Sequence, residues 1–317
     1  MEWFLASLGL VILLLAGDAL VRGAVNLSLR LGVPALIVSL TIVAFGTSAP
    51  ELLIALSALH DNAPGIAMGN VVGSNTANIL LVLGFPAMLA ALHTSECDTR
   101  KTYVYMIGAS LLFIALAFFG TFNWLSGLIL LTSLTLVLLD QLHEARCHRR
   151  DGVPAADEEL DELEGVDPNM PWWRVFMFLG LGLVGLPLGA DLLVDSAVVI
   201  ATRFGVSETV IGLTLVALGT SLPELATTTM AALRQQAEVA LGNVIGSNMF
   251  NLLAIIGIAS LVGPIPVDQS FLYFDLWVML AASAVLMPFV FFKQDIGRVW
   301  GAALTALYML YVIVVLT

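Results

Sequence analysis

The hexapeptide GTSAPE stands at Gly46–Glu51, and a close copy of it, GTSLPE, stands at Gly219–Glu224. Each copy places a carboxylate, two hydroxyls, a glycine and a proline inside a long apolar run. A charged side chain at the centre of a bilayer costs about 2.5–3.5 kcal/mol even on the gentler insertion scales. Two such segments in one chain need a common reason, and a cation-binding site supplies one, because a bound cation neutralises a carboxylate.

The composition indicates that the chain is surrounded mainly by lipid. Its 317 residues are 59% hydrophobic and only 11% charged, with a mean hydropathy of +0.99. Soluble domains carry about 25% charged residues, so this chain has too few to cover a surface in water. The long apolar runs also lack the alternation of a β-barrel, which favours helices. We therefore predict an all-α integral membrane protein.

Ten apolar runs are long enough to span a bilayer, which takes about 20 residues in a helix. The predicted spans are Trp3–Leu29, Pro34–Leu59, Ile66–Leu92, Thr102–Phe119, Asn123–Leu142, Trp172–Thr202, Val206–Leu233, Val239–Val262, Phe271–Phe292 and Gly297–Leu316.

The chain also repeats itself. Placing Thr47 on Thr220 shifts the sequence by 173 positions, and GNVVGSNTAN at Gly69–Asn78 then falls on GNVIGSNMFN at Gly242–Asn251 without a gap. Each half holds five predicted helices, an odd number, so the two halves would enter the membrane from opposite sides. We predict ten transmembrane helices arranged as two inverted five-helix repeats, a pattern typical of secondary transporters with a site between the repeats.

An acidic segment separates the two halves. Residues 1–145 are predicted to form the first repeat, with helices 1–5, and residues 172–317 the second, with helices 6–10. The segment 146–171 contains DGVPAADEELDELEGVD, which is too charged for a membrane span. We interpret it as a solvated cytoplasmic linker. Cys97 and Cys147 are placed in cytoplasmic loops and are expected to be free thiols.

The distribution of basic residues predicts the orientation. With the N-terminus outside, Arg203 is the one residue among 12 Lys and Arg that falls on the outer side. The positive-inside rule therefore favours both termini outside and the acidic linker inside. We expect a multi-pass protein of the cell's inner (plasma) membrane.

The polar residues of each hexapeptide are spaced to form a site. Thr47 and Glu51 share one face of the second predicted helix, with Ser48 beside them. Pro50 has no N–H, so the Gly46 carbonyl is expected to lose its intrahelical partner and the helix to break. The second half repeats the pattern with Thr220, Ser221 and Glu224.

The next helix of each half adds a polar stripe. Asn70, Ser74 and Asn78 follow at i+4 steps, while Gly69 and Gly73 form a small-residue face that suits close helix approach. Alone, such a stripe is equally typical of helix–helix contact, but in register with the carboxylate breaks it indicates a binding site. The asparagines that begin the stripes are the members expected to be structural. The second half repeats the stripe with Asn243, Ser247 and Asn251, and the glycines as Gly242 and Gly246.

The candidate ligands are all oxygen atoms, which selects hard cations such as Na⁺ and Ca²⁺ over Zn²⁺ or Cu⁺. Glu51 and Glu224 together balance the charge of one Ca²⁺. Exchange of that ion for three Na⁺ would be electrogenic and exchange for two would be neutral, and the residues leave both possibilities open.

At these motifs the sequence resembles the cation/calcium antiporter superfamily, close to prokaryotic sodium/calcium exchangers. Both alpha-repeat signatures are present, as GTSAPE…GNVVGSNTAN and GTSLPE…GNVIGSNMFN. The resemblance implies a Na⁺/Ca²⁺ exchanger that works by alternating access and extrudes Ca²⁺ against an inward Na⁺ gradient, with helices 1 and 6 sliding against the rest. We expect Na⁺ and Ca²⁺ as substrates, no cofactor, no enzymatic activity, no nucleic-acid partner, and a monomer in the lipid bilayer as the sufficient unit.

The resemblance also implies a ligand set between helices 2, 3, 7 and 8. Backbone carbonyls would come from Ala44 and Ala217. Some family members carry aspartate where this chain has Asn251, so dependence on K⁺ and proton coupling at that position are disfavoured. The side-chain ligands carried over by motif position are Thr47, Ser48, Glu51, Ser74, Asn78, Thr220, Ser221, Glu224, Ser247 and Asn251.

Three other functions are compatible with parts of the sequence. A Ca²⁺/H⁺ antiporter is the nearest, because Glu51 and Glu224 could carry protons. An intramembrane enzyme could use the same two acids, but the chain has no HExxH motif and no histidine in the middle of a predicted span. A passive cation channel usually relies on oligomeric symmetry rather than on one internal inverted repeat.

Overall fold

The computed structural model describes residues 1–150, 167, 169–205 and 217–316. Within these ranges nine helices are long and apolar enough to cross a membrane, as expected for an all-α membrane protein. The seventh predicted span, Val206–Leu233, lies partly outside the described residues. So does most of the predicted linker, residues 146–171.

Five long helices precede the acidic segment. They are α1 (Glu2–Leu31), α2 (Ala35–His60), α3 (Pro64–Leu89), α4 (Arg100–Ala117) and α5 (Trp124–Arg150). A 3₁₀ turn at Thr94–Glu96 lies between α3 and α4, and strand β1 (Thr121–Phe122) lies between α4 and α5.

Helix α5 is longer than its predicted span. It runs to Arg150, beyond the predicted end at Leu142. The residues after its apolar part include Glu, Ala and Arg, which are strong helix formers, so the helix continues beyond the hydrophobic run. Cys147 consequently lies exposed on a helix and not in a loop, whereas Cys97 is in a loop as predicted; both are free thiols.

The second half contains α6 (Trp172–Arg203), α7 (Leu222–Leu233), α8 (Ala237–Val262), α9 (Phe271–Phe291) and α10 (Arg298–Leu316). A short helical turn at Ala217–Gly219 precedes α7. Strand β2 (Ile265–Pro266) follows α8 and pairs antiparallel with β1, so that the α4–α5 and α8–α9 connections meet.

Helices α1 and α6 are antiparallel partners along their length. Arg30 near the end of α1 donates from Nε to the Met170 carbonyl just before α6, at 2.9 Å. At the other end Arg203 of α6 pairs with Glu2 of α1 at 3.1 Å. A Cβ placed on Gly9 would lie only 2.7 Å from the Leu193 backbone nitrogen, so small residues let the two backbones approach closely.

The central helices of the bundle are α3 and α8. In their most apolar 18-residue windows 83% and 89% of the residues are buried, compared with 17% in α10. Gly242 and Gly246 of α8 pack directly on α2, because added Cβ atoms would lie 2.8 Å from the Leu36 carbonyl and 2.5 Å from the Leu40 carbonyl. The predicted close approach at this glycine pair is confirmed, and it brings the motif helices of the two halves together.

Several helices contain π-helical segments that the sequence analysis did not predict. They lie at Ser39–Val43 in α2, Asn78–Val82 in α3, Phe250–Ile255 in α8 and Phe271–Asp275 in α9. Insertions of this kind inside α-helices are frequent at functional sites. The segments in α3 and α8 include Asn78 and Asn251, two of the predicted ligands.

Candidate cation site

Both hexapeptides interrupt their helices at the serine. Ser48 has φ −85° and ψ 4°, and Ser221 has φ −87° and ψ 3°. Each serine stands between a short helical turn and a helix whose first turn contains Pro50 or Pro223. Proline is tolerated there because its missing N–H would have had no intrahelical acceptor. The predicted break is therefore present in both halves.

The break does not free the Gly46 carbonyl, and that prediction is wrong. Capping backbone N–H groups at the end of the turn donate to the carbonyls of Ala44 and Gly46. The turn tightens enough for an N–H other than the missing one of Pro50 to reach Gly46. The Ala44 carbonyl accepts the Ser48 N–H at 3.0 Å and the Thr47 hydroxyl at 3.3 Å. Ala217, its counterpart, opens the corresponding turn of the second half.

The two halves contact each other through predicted ligands. The Ser48 hydroxyl on α2 donates to Oε1 of Glu224 on α7 at 3.4 Å. The Thr47 hydroxyl lies 3.4 Å from the Ser247 hydroxyl on α8. The predicted side chains are all buried, with Thr220 the most exposed at 8%. This buried set comprises Thr47, Ser48, Glu51, Ser74, Asn78, Thr220, Ser221, Glu224, Ser247 and Asn251.

Two repeat-related hydrogen bonds hold the threonines across the interface. Thr47 donates to Oδ1 of Asn243 at 3.2 Å, and Thr220 donates to Oδ1 of Asn70 at 3.3 Å. Asn243 in turn donates from Nδ2 to the Thr228 hydroxyl at 3.1 Å. The asparagines that begin the two polar stripes therefore orient the hydroxyls of the opposite half.

Within the part of the chain that the structure describes, five of the predicted ligands carry buried polar atoms without a hydrogen-bond partner. The atoms are both carboxylate oxygens of Glu51, Oε2 of Glu224, Oγ of Ser221, Oδ1 of Asn78, and Oδ1 and Nδ2 of Asn251. Burying a charged group without a partner costs several kcal/mol, and a native protein tolerates that cost where a ligand offsets it. Six of these seven atoms are oxygens, which is the donor chemistry of a hard cation.

The carboxylate count agrees with a site of charge −2. Among the described residues no group of three or more His, Cys, Asp and Glu side chains is placed to hold a metal ion. Glu51 and Glu224 are the two acidic side chains among the predicted ligands, and the other predicted side-chain ligands are hydroxyls and amides. Such a mixture of weak and charged oxygen ligands suits an ion that must bind and also leave.

Comparison with known proteins agrees with this chemistry. The family model for sodium/calcium exchanger protein matches residues 1–142 and 174–317. This chain belongs to the sodium/calcium exchanger family. Among curated relatives, the putative antiporter CaxA of Alkalimonas amylolytica is 36% identical over 88% of this chain and 86% of CaxA. The sodium/calcium exchanger MaX1 of Methanosarcina acetivorans is 33% identical over 99% of this chain and 98% of MaX1.

The fold agrees with a solved exchanger structure. The sodium-calcium exchanger NCX_Mj, soaked with Na⁺ and Sr²⁺, superposes with a TM-score of 0.81 at 31% identity, covering 98% of this chain and 97% of NCX_Mj. The resemblance drawn from the two signatures is thus confirmed. The protein is a membrane-embedded ion transporter of the sodium/calcium exchanger type, in a family of exchangers and not of enzymes.

The sequence analysis missed two buried asparagines next to the predicted ligands. Asn75 and Asn248 occupy matching places in the two repeated motifs, and each is only 1% exposed. The Nδ2 group of the predicted ligand Asn78 donates to Oδ1 of Asn248 at 3.1 Å. Their repetition at the same motif position was the available signal, since a buried polar pair that recurs in both halves needs a structural partner.

Proposed function

We propose that this exchanger is a Na⁺/Ca²⁺ antiporter that extrudes Ca²⁺ against an inward Na⁺ gradient. The observation that carries the proposal is the pair Glu51 and Glu224, two buried carboxylates from opposite halves. Three of their four carboxylate oxygens have no hydrogen-bond partner among the described residues. One Ca²⁺ balances their combined charge, and Na⁺ ions sharing the same oxygens would compete with it. Competition for one set of ligands is the simplest basis of exchange.

The proposal assigns the ligands of both ions to the buried cluster. The carboxylates supply charge, the hydroxyls and amides supply neutral oxygens, and the carbonyls of Ala44 and Ala217 complete the set. Because the ligands come from both halves, a shift of one half against the other changes the coordination of the ion. The proposed side-chain ligands are Thr47, Ser48, Glu51, Ser74, Asn78, Thr220, Ser221, Glu224, Ser247 and Asn251.

The proposal includes ten spans in two inverted five-helix repeats. Its support comes from elements related by the sequence repeat. Ala49–His60 corresponds to Leu222–Leu233 residue for residue, and both begin directly after the broken serine. The helices that open the two halves, α1 and α6, run antiparallel, as their paired ends at Glu2 with Arg203 require.

Contacts between connections support the proposed number of spans. The antiparallel bridge between Leu92 and Ile296 joins the α3–α4 connection to the α9–α10 connection. The β1–β2 pair joins the α4–α5 connection to the α8–α9 connection. Each contact unites two connections that ten alternating spans place on the same side, in either orientation. The proposed position of both termini outside rests on the distribution of basic residues. We place the protein as a monomer in the inner (plasma) membrane.

Alternating access is proposed to use α1 and α6 as the moving pair. Most of their buried apolar residues belong to a smaller core cluster, which also includes Ala226 of α7 and two residues of α2. That smaller cluster includes Leu13 and Leu20 of α1 and Leu179 and Leu186 of α6. A pair of helices that packs mainly on itself can slide over its neighbours with little loss of packing.

Flux measurements in proteoliposomes test the proposal. Vesicles loaded with Na⁺ are diluted into Na⁺-free medium that contains radioactive Ca²⁺, and uptake is followed with and without the Na⁺ gradient. Uptake that rises with internal Na⁺ and collapses when Na⁺ is equal on both sides supports Na⁺ coupling. Uptake that ignores Na⁺ and follows an imposed pH gradient would replace the proposal by the Ca²⁺/H⁺ antiporter. Uptake that follows neither gradient would refute exchange.

A further inference from the structure

A second layer of repeat-related contacts lies behind the cation cluster. Asn75 donates from Nδ2 to the sulfur of Met279 on α9, and Asn248 donates from Nδ2 to the sulfur of Met106 on α4, each at 3.8 Å. Met106 and Met279 are related by the same 173-residue shift as the two asparagines. In each half, the buried asparagine therefore contacts the equivalent methionine of the other half.

The two halves differ in what the asparagine oxygen does. Oδ1 of Asn248 accepts a hydrogen bond from Nδ2 of Asn78 at 3.1 Å. The equivalent bond would join Nδ2 of Asn251 to Oδ1 of Asn75, and neither of those atoms has a hydrogen-bond partner among the residues that the structure describes. The repeat therefore places equivalent residues around Asn78 and Asn251. Asn248 hydrogen-bonds the Asn78 amide, whereas no equivalent bond from Asn75 holds the Asn251 amide.

The hydrogen bond to Asn248 fixes which way the Asn78 amide points. A side-chain amide presents an oxygen acceptor at one end and two N–H donors at the other. A cation binds the oxygen and is repelled by the N–H end. Because Asn248 takes up the Nδ2 of Asn78, the Oδ1 of Asn78 is the end without a partner. Both ends of the Asn251 amide lack a partner in the described ranges, so Asn251 can turn either end toward its surroundings.

We infer that Asn248 is a positioning residue that holds the Asn78 amide with its oxygen toward the transported cation. The inference rests on the proposed function, in which Asn78 and Asn251 are ligands. Asn248 is itself held, because its Nδ2 also lies 3.3 Å from the Asn75 carbonyl. Asn78 is then the preset ligand of the cluster, and Asn251 is the adjustable one that accommodates the difference between Ca²⁺ and Na⁺.

Alanine substitutions of the two asparagines form a matched pair. Asn248→Ala removes the acceptor that orients Asn78, whereas Asn75→Ala removes an equally buried amide that contacts no predicted ligand side chain among the hydrogen bonds of the described residues. Calcium affinity is measured by titration calorimetry on the full-length protein in detergent. We expect Asn248→Ala to raise the Kd for Ca²⁺ about tenfold, and Asn75→Ala to leave it within about twofold. Equal effects of the two substitutions would overturn the inference.

A double-mutant cycle separates orientation from general damage. If Asn248 acts through Asn78, then adding Asn248→Ala to Asn78→Ala causes no further rise in Kd, because the oriented oxygen is already gone. Effects that multiply would show that Asn248 acts independently and would sink the inference. Asn248→Asp preserves side-chain size and the accepting oxygen, and we expect it to bind Ca²⁺ more tightly than Asn248→Ala. It also keeps the test available if the alanine variant does not fold.

The wild-type titration distinguishes failure of the inference from failure of the proposed function. Wild-type protein that binds neither Ca²⁺ nor Na⁺ would refute the exchanger cluster itself, whatever the variants do. Wild-type protein that binds Ca²⁺, with an unchanged Kd in Asn248→Ala, would refute the positioning role alone.

Discussion

Glu51 and Glu224 are fully buried, and among the described residues three of their four carboxylate oxygens have no hydrogen-bond partner. The fourth, Oε1 of Glu224, accepts a hydrogen bond from the Ser48 hydroxyl of the opposite half. A neutral hydroxyl does little to compensate a buried charge, so the charge of the transported ion is the main compensation available. At the scale of single residues, the unpartnered oxygens of the cluster therefore support the proposed cation site.

Neutralising either carboxylate should weaken Ca²⁺ binding strongly. Glu51→Gln and Glu224→Gln each preserve side-chain size and delete one charge, so we expect Ca²⁺ affinity to fall roughly 10- to 100-fold and Na⁺-driven uptake to fall to background. The flux assay in proteoliposomes measures this effect. Asp275→Asn is the matched control, a half-buried carboxylate of α9 outside the cluster. Full transport by either glutamine variant would remove that glutamate from the site.

At the scale of helices the α1–α6 pair depends on glycine. A Cβ on Gly189 would lie 2.9 Å from the Leu13 nitrogen and 3.0 Å from the Gly9 carbonyl, both backbone atoms that cannot rotate away. The two helices would have to separate to admit even a methyl group. Gly180 on the same helix is exposed, and among the described residues no atom lies within 4 Å of its added Cβ.

Gly189→Ala should therefore destabilise the exchanger, and Gly180→Ala should not. Overpacking of this kind costs about 1–3 kcal/mol, which lowers the thermal unfolding midpoint of the detergent-solubilised protein. The two variants share a helix and a substitution, so their difference reports the contact with α1. Identical midpoints would mean that the two helices separate without cost at this position.

At the scale of the whole molecule the two cysteines report its orientation. Burial, followed by the negative charges of Glu238, Glu96 and Asp295, raises the pKa of the Cys97 thiol to about 12. The raised pKa keeps Cys97 protonated near pH 8, and a thiol without thiolate character reacts slowly with maleimides. Cys147 is exposed at the end of α5, on the side proposed to be cytoplasmic.

A charged, membrane-impermeant maleimide should label the protein once, at Cys147, and from the inner side alone. Labelling is compared at pH 8 between right-side-out and inside-out vesicles, with Cys147→Ser as the control that abolishes the signal. Labelling should be confined to inside-out vesicles. Efficient labelling of right-side-out vesicles would place both termini inside and reverse the proposed orientation.

The spacing of residues along helices was sufficient to predict much of this protein. The break at Ser48 and Ser221 follows from proline chemistry within one turn, and the membrane class follows from composition. The buried position of the ten predicted side chains follows from polar residues recurring in register in both halves, since lipid excludes them from the outer face. These are local or periodic properties, which a sequence records directly.

The tertiary structure alone decided which atoms pair and which do not. Asn78 and Asn251 are equivalent in the sequence repeat, but Asn248 holds the first while Asn75 leaves the second unheld. The π segments and the capped Gly46 carbonyl were likewise invisible, because they depend on how each helix end meets its neighbours. Composition and periodicity determine which residues are buried together, whereas the direction of each hydrogen bond is set by atomic distances across helices far apart in the chain.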